Sequence, residues 1–152
     1  MYQIRQKLFI PVPKTKAWDF FSDPENLKEL TPKDVKISFK DTHVEKIHSG
    51  LVFTYKISPL FGIPVNWVTK IDVVEELDHF VDIQIKGPFK YWKHEHYFRS
   101  VEGGTEIQDI VNYKVPCGSI GKALHPILVK PKLEKIFEFR KRKTREFFFQ
   151  ND

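Results

Sequence analysis

The chain has 152 residues, 30% of them charged, with a formal net charge of +5 and 22 aromatics (14 Phe, 5 Tyr, 3 Trp). That length suits one domain spanning residues 1–152 that buries roughly 70% of its unfolded surface, and the aromatic content argues against disorder. A mean hydropathy of −0.39 with no long apolar run excludes a membrane-spanning helix, which needs about 20 apolar residues. No basic stretch followed by an apolar run and cleavage site is visible near Met1, so no signal peptide is expected. The single cysteine, Cys117, offers neither an internal disulfide nor a thiolate metal cage, and the expected compartment is the cytoplasm.

Gln3–Ile10 alternates as a strand would, and Pro11 and Pro13 stop it. A short helix carrying Ala17, Trp18, Phe20 and Phe21 is predicted next. A second helix follows it, with Asp23 as N-cap, Pro24 at the first helical position and Leu27 and Leu30 on its apolar side. Six strands come after: Val35–Phe39, Leu51–Ser58, Pro64–Val74, His79–Lys86, Tyr91–Ser100 and Thr105–Lys114. Gly50, Gly62, Gly87-Pro88 and Gly103-Gly104 mark turns between them. Connections this short imply antiparallel neighbours, since parallel pairing needs a long crossover.

Beyond Gly118 the period becomes helical, with Leu133, Ile136, Phe137, Arg140, Thr144, Phe147 and Phe148 on one stripe. Pro126 and Pro131 mark a helix start or a kink before it. The element order predicts an α+β domain: an antiparallel sheet whose concave face holds the helix stripe, with a pocket between.

Strand parity selects the side chains that face the pocket. Trp92, His94, His96 and Phe98 share the inner face of one strand, and Thr105, Ile107, Asp109, Val111 and Tyr113 that of the next. The Glu102-Gly103-Gly104 turn sets a register in which paired numbers sum to about 205, so His96 lies opposite Asp109. An inward carboxylate needs a partner, and a cross-strand imidazole supplies one. Three readings of His94, His96 and Asp109 are open: a structural His–Asp pair, a polar patch that orients a ligand, or a metal site built on His-x-His. His43, His48, His79 and His125 fall in loops or at strand ends without an evident partner.

Neither a phosphate-binding glycine loop nor a nucleophile elbow is present in the sequence. Cys117 reads as an inert turn residue ahead of Gly118. The whole net charge lies in residues 119–152, which hold nine basic and four acidic residues. That stripe reads as a solvated helix face or an anionic-surface contact. Nucleic acid is not expected as a partner, because the aromatics lie on the buried stripe and not between the charges.

Several segments together resemble a known family. They are Ala17-Trp18-Asp19-Phe20-Phe21-Ser22-Asp23-Pro24-Glu25-Asn26-Leu27, Leu30-Thr31-Pro32, Pro64-Val65-Asn66-Trp67 and Gly87-Pro88-Phe89-Lys90-Tyr91-Trp92-Lys93-His94-Glu95-His96. Gly104-Thr105 with Asp109 and Tyr113, Pro116 with Gly118 and Gly121, and Leu133–Arg140 extend the match. The chain is similar to the SRPBCC superfamily (START-like, birch-pollen-allergen-like, polyketide cyclase/dehydrase-like). Within it, the chain resembles a bacterial branch labelled SRPBCC family protein, cell-division-inhibitor-like.

The resemblance implies a helix-grip fold, with a curved seven-stranded antiparallel sheet wrapped around a long C-terminal helix and a hydrophobic cavity. It also implies binding of a lipid- or polyketide-like small molecule, with only some members being enzymes. The expected ligand-binding cavity is lined by Phe53, Tyr55, Trp67, Ile71, Trp92, His94, His96, Phe98, Asp109, Tyr113, Ile136 and Phe137. Neither a cofactor nor a metal is expected. The alternatives are a cyclase/dehydrase-type enzyme using His96 and Asp109 as an acid–base pair, and a peripheral protein that meets anionic surfaces through Lys141, Arg142 and Lys143. The ligand's identity and the oligomeric state are left open.

Overall fold

The computed structural model describes residues 1–41 and 43–150. Its strands are β1 (Tyr2–Ile10), β2 (Ser38–Phe39), β3 (Val52–Ile57), β4 (Val65–Glu75), β5 (His79–Lys86), β6 (Tyr91–Val101) and β7 (Gly104–Lys114). They form one antiparallel sheet in the order β1-β7-β6-β5-β4-β3-β2. The first strand thus pairs with the last, Tyr2 opposite Tyr113 and Ile10 opposite Thr105. The register across β6 and β7 is the one the glycine turn predicts: His96 stands opposite Asp109, Phe98 opposite Ile107 and Trp92 opposite Tyr113. The pairing of β4 with β5 is irregular. Register shifts between Val68 and Thr69 and between Ile71 and Val73 break the β4–β5 ladder, and such bulges increase local twist.

Helix α1 (Lys14–Phe21) follows β1 and turns Ala17 and Trp18 inward. The predicted second helix is a 3₁₀ segment, Pro24–Lys28. Asp23 caps it by accepting a hydrogen bond from the Glu25 backbone N–H at 3.1 Å. The strand expected over Val35–Phe39 is shorter than its composition suggests. Lys33–Val35 forms a 3₁₀ turn and Lys36 takes a left-handed φ of 55°, which leaves only Ser38–Phe39 to pair with β3.

The C-terminal segment is not one continuous helix. Helix α2 (Gly118–Leu124) leads into a π-helical turn at His125–Val129, and α3 (Lys130–Gln150) follows. Pro126 and Pro131 explain the wide turn, because a proline ring clashes with the carbonyl one helical turn earlier and donates no hydrogen bond. The segment is held from the sheet side. Tyr113 donates its O–H to His125 Nε2 at 2.7 Å, and Tyr2 stacks on the same imidazole with ring centroids 3.5 Å apart. His125 is therefore buried and partnered, where the sequence suggested an unpartnered loop residue. Burial of Tyr113 pushes its hydroxyl pKa up to about 12, and burial lowers that of His125, so the neutral O–H···N pair is the favoured form.

Two apolar clusters divide the interior. One joins Phe53, Tyr55, Trp67, Ile71, Trp92 and Tyr113 to Leu133 and Phe137. The other joins Leu8, Ile10, Trp18, Phe80, Phe98 and Ile107 to Phe148. The stripe on α3 packs as predicted at Leu133, Phe137, Thr144 and Phe148, whereas Phe147 is half exposed and packs against Phe20 with centroids 4.7 Å apart.

Gly121 seats α2 against the end of β7. A Cβ there would collide with the carbonyl oxygen of Pro116, which is backbone and cannot swing aside. Gly121→Ala is expected to lower the stability by about 1–3 kcal/mol, the usual cost of overpacking, as read by urea unfolding. A loss of under about 0.5 kcal/mol would mean that the connection yields freely.

Candidate functional site

Between the concave sheet face and α3 lies a cavity of about 300 Å³. Such a volume is at the small end of ligand pockets. Its wall is mostly apolar and aromatic, supplied by Phe53, Tyr55, Ile57, Trp67, Ile71 and Trp92 from the sheet and by Leu133, Ile136 and Phe137 from α3. Tyr55 stacks on Trp67 at 6.0 Å between centroids, and Trp67 meets Trp92 edge-on at 5.2 Å. The rings brace one another and leave space in front of them.

Gln6, Asn26, Thr69, Lys132 and Lys141 contribute scattered polar groups to the wall, and the buried ionisable groups gather in one cluster. His94, Asp82 and Asp109 line the cavity from the three adjacent strands β6, β5 and β7, with Arg140 facing them from α3. His94 Nε2–H donates to Asp109 Oδ1 at 2.9 Å, and His96 Nε2–H donates to Asp82 Oδ2 at 2.7 Å. These bonds run diagonally, for the residue opposite His94 on β5 is Asp82 and the residue opposite His96 on β7 is Asp109. The His96–Asp109 approach predicted from the register is present but longer, with Nδ1 3.2 Å from Oδ1. The two imidazoles stack with centroids 3.7 Å apart, and Phe80 covers the far side of His96 at 4.1 Å.

The protonation pattern follows from the distances. Both nitrogens of His96 face carboxylates, and only an imidazolium carries hydrogens on both. Burial opposes the charge on His96, but the hydrogen bonds to Asp109 and Asp82 outweigh it and raise the pKa. His94 Nδ1 is 4.0 Å from Asp82, outside hydrogen-bond reach, so one N–H suffices. Burial and the neighbouring His96 charge hold the His94 pKa below its usual value despite the bond to Asp109. Burial also works against ionisation of both carboxyls. The imidazole hydrogen bonds overcome it and keep Asp82 and Asp109 below the ordinary carboxylate range.

Arg140 completes the cluster. Its guanidinium sits 5.1 Å from the Phe137 ring centroid, and its positive charge helps hold Asp82 ionised. Arg140 Nε is shielded from solvent and has no hydrogen-bond partner among the described residues. A buried donor left unpaired is unfavourable by roughly 1–3 kcal/mol, so this N–H is poised to meet an acceptor in the cavity.

Asp82, His94 and His96 bring metal-ligand atoms within 4.8 Å of one another. Face-to-face stacking sets the ring lone pairs side by side, whereas a tetrahedral ion needs them to converge. The arrangement is that of carboxylate–imidazole hydrogen bonds.

Three of the expected lining residues stand elsewhere. His96 lies behind His94, between that ring and Phe80. Phe98 belongs to the second apolar cluster, 5.2 Å from Trp18. Tyr113 points its hydroxyl to His125 and away from the cavity. Asp82 and Arg140 were missed as polar members of the wall. Alternation over Phe80-Val81-Asp82 places Asp82 on the face of Phe80, a signal the sequence does carry. Arg140 sits on the apolar stripe, where a charged residue among Phe137 and Thr144 is itself the signal.

A curved antiparallel sheet gripping a long helix around an apolar cavity defines the helix-grip class of ligand-binding folds. The model of the family described as polyketide cyclase / dehydrase and lipid transport matches residues 10–131, and the chain belongs to that family. Among solved structures, it is similar to a START superfamily protein from Mycobacterium smegmatis, at 12% identity with a TM-score of 0.71 over 100% of both chains. It is likewise similar to major latex-like protein 151 of Panax ginseng, at 12% identity and a TM-score of 0.69, covering 97% of each chain. A second Mycobacterium smegmatis protein, Ms6760, matches at 18% identity and a TM-score of 0.71, over 99% of this chain and 92% of the other. No curated protein matches the sequence. At these identities the structural likeness extends to the fold alone.

The two histidines are expected to titrate on opposite sides of 6.5 in an imidazole-resolved NMR titration, His96 above and His94 below. Asp82→Asn should move His96 down. Two superimposable curves at the ordinary value would show that the carboxylates do not engage the rings. For stability at pH 7, His96→Ala should be worse than Asp109→Ala. The first leaves Asp82 without a hydrogen-bonding imidazole, while the second leaves Asp82 and His96 paired. An uncompensated buried charge typically is unfavourable by about 3–5 kcal/mol, and the 18% exposure of the Asp82 side chain argues for the lower end. The reverse order in urea melts would overturn this assignment.

Proposed function

We infer that the protein binds an uncharged apolar or aromatic small molecule, and that the His–Asp group with Arg140 orients it through one acceptor oxygen. The observation that carries this reading is an unpaired, solvent-shielded Arg140 Nε in a small polar cluster set among aromatic lining residues. Few convergent polar groups in an apolar pocket are the usual pattern of small-molecule sites. Charge balance supports a neutral ligand. With His96 protonated, the two carboxylates of the cluster are matched by His96 and Arg140, so the cluster itself offers no net charge to a ligand beside it. Lipid- or polyketide-like molecules carrying a carbonyl or hydroxyl fit that description.

A second reading is favoured by the same cluster: acid–base chemistry of the cyclase/dehydrase kind. Asp109 touches both imidazoles and also lines the cavity, so a proton moved at His94 Nε2 has a relay to His96. In that reading His94 is the group that reaches substrate, and His96 acts through Asp109.

The neutral fluorophore N-phenyl-1-naphthylamine should bind with enhanced emission and be displaced by the native ligand. Ile136→Trp, which fills the cavity from α3, should weaken its binding by about tenfold or more while the fold persists. Native mass spectrometry of protein from its host should show a copurifying neutral species. Binding unaffected by Ile136→Trp would place the ligand outside the cavity. Turnover of a polyketide-like substrate that disappears in His94→Gln with fluorophore binding retained would select the enzyme reading.

A further inference from the structure

The most exposed large apolar side chains among the described residues lie at one end of the sheet. The β3–β4 connection, the β5–β6 connection and the exit of β7 all lie there, and Leu60, Phe89, Pro116 and Val129 from these segments and the π turn border the cavity. Just outside that border, Phe61 and Ile63 project from the β3–β4 connection, 79% and 60% exposed. Ile120, Leu124 and Ile127 follow at spacings of four and three on the surface of α2 and the π turn, and Ile120 and Ile127 are 68% and 69% exposed. Single exposed aliphatics are ordinary, but a group of this size at one end of a sheet is not.

Charge marks the same end. Residues 110–133 contain four lysines and no acidic residue, and residues 83–94 contain three lysines and no acidic residue. Lys86, Lys90, Lys114, Lys122 and Lys130 are all exposed. Lys132 is held by Asp34 at 2.6 Å. The far end of the sheet is opposite in sign, with Glu75, Glu76 and Asp78 at the β4–β5 turn and Glu102 at the β6–β7 turn. Further along α3, Glu146 approaches Arg142 at 3.9 Å and Lys143 at 3.3 Å.

We propose that this end of the molecule docks on an anionic lipid bilayer, with Phe61, Ile63, Ile120, Leu124 and Ile127 entering the interface and the surrounding lysines meeting the headgroups. A bilayer is the occupant that satisfies both features at once. Apolar side chains gain by leaving water for the acyl boundary, and lysines just above them lie within a Debye length of the negative surface. The docked orientation turns the cavity-lining Leu60, Phe89, Pro116 and Val129 toward the lipid. Binding to the bilayer does not depend on what the cavity holds, so it is tested separately from the proposed function.

Cys117 is the chain's single cysteine, exposed at the head of α2, and takes an environment-sensitive label without any introduced residue. On vesicles of phosphatidylcholine with about 30 mol% phosphatidylserine, the label should shift to the blue and the protein should co-sediment, and both should fade between about 0.1 M and about 0.5 M salt. Ile120→Ser with Ile127→Ser, and separately Lys122→Glu with Lys130→Glu, should each reduce the partition coefficient by about tenfold or more with an unchanged circular dichroism spectrum. Arg142→Ala with Arg145→Ala should leave it within about twofold. Failure to bind these vesicles, binding that the Arg142 and Arg145 pair abolishes and the other two double variants do not, or retention on single-stranded RNA in place of vesicles would each overturn the proposal.

Discussion

Two carboxylates on the concave face of an apolar sheet set the terms for everything around them. Asp82 and Asp109 cannot be placed there without compensation, since desolvating an unpaired carboxylate costs several kcal/mol. His94 and His96 provide that compensation, and they do so in register with three neighbouring strands. A one-residue slip of β6 would turn both imidazoles outward and leave both acids unpaired, so the quartet penalises wrong pairing far more than an aliphatic core would. The outer proton inventory is equally constrained. His96 sits between two carboxylates and holds the charge, and burial together with that charge lowers the His94 pKa.

The cavity follows from how the aromatics pack around this group. Tyr55, Trp67, Trp92 and Phe89 lean on one another along the sheet, and α3 approaches them through Leu133 and Phe137. Stiff planar rings that brace their neighbours do not collapse into the space ahead of them as aliphatic chains would. At the other end, Trp18, Phe80, Phe98 and Phe148 close the interior. The polar quartet stands between the two clusters, with Phe80 stacked on His96 from one side and Phe137 near His94 from the other. One group of residues therefore specifies the sheet register and supplies two carboxylates of the cavity wall, one of them held ionised in part by Arg140.

Antiparallel order, the inward faces of β6 and β7, and the His96–Asp109 register were legible because alternation and a two-glycine turn are local signals. The helix stripe was legible for the same reason. What escaped depended on geometry that alternation does not encode. Sheet twist makes the diagonal bonds His94–Asp109 and His96–Asp82 shorter than the directly opposed approaches. Depth within the layer separates Phe98 and Tyr113 from the cavity, although parity places both on its face. The π turn could be anticipated at Pro126 as a break, yet its shape is set by Tyr2 and Tyr113 closing on His125 from β1 and β7, a long-range contact. Strand β2 shrank because the left-handed turn at Lys36 overrode the β-favouring run beside it.

Linkage ties the quartet to pH with opposing signs. Asp82 and Asp109 have depressed pKa values, so their stabilisation is present above the ordinary carboxylate value and is lost as pH falls through their folded values. His96 has a raised pKa, so its contribution is complete below 6.5 and is lost as pH rises through the folded value. His94 runs the other way, contributing above 6.5 and losing that contribution as pH falls. The acids and His96 therefore act together between the ordinary carboxylate and imidazole values, and His94 offsets part of their sum in that same window. Near neutrality the balance shifts from His96 to His94 while the carboxylates stay ionised. As pH rises through its folded value, His96 gives up one of its two N–H groups and with it one carboxylate contact. Neutral His94 keeps the N–H that meets Asp109, so the bond between β6 and β7 through His94 outlasts the charge on His96.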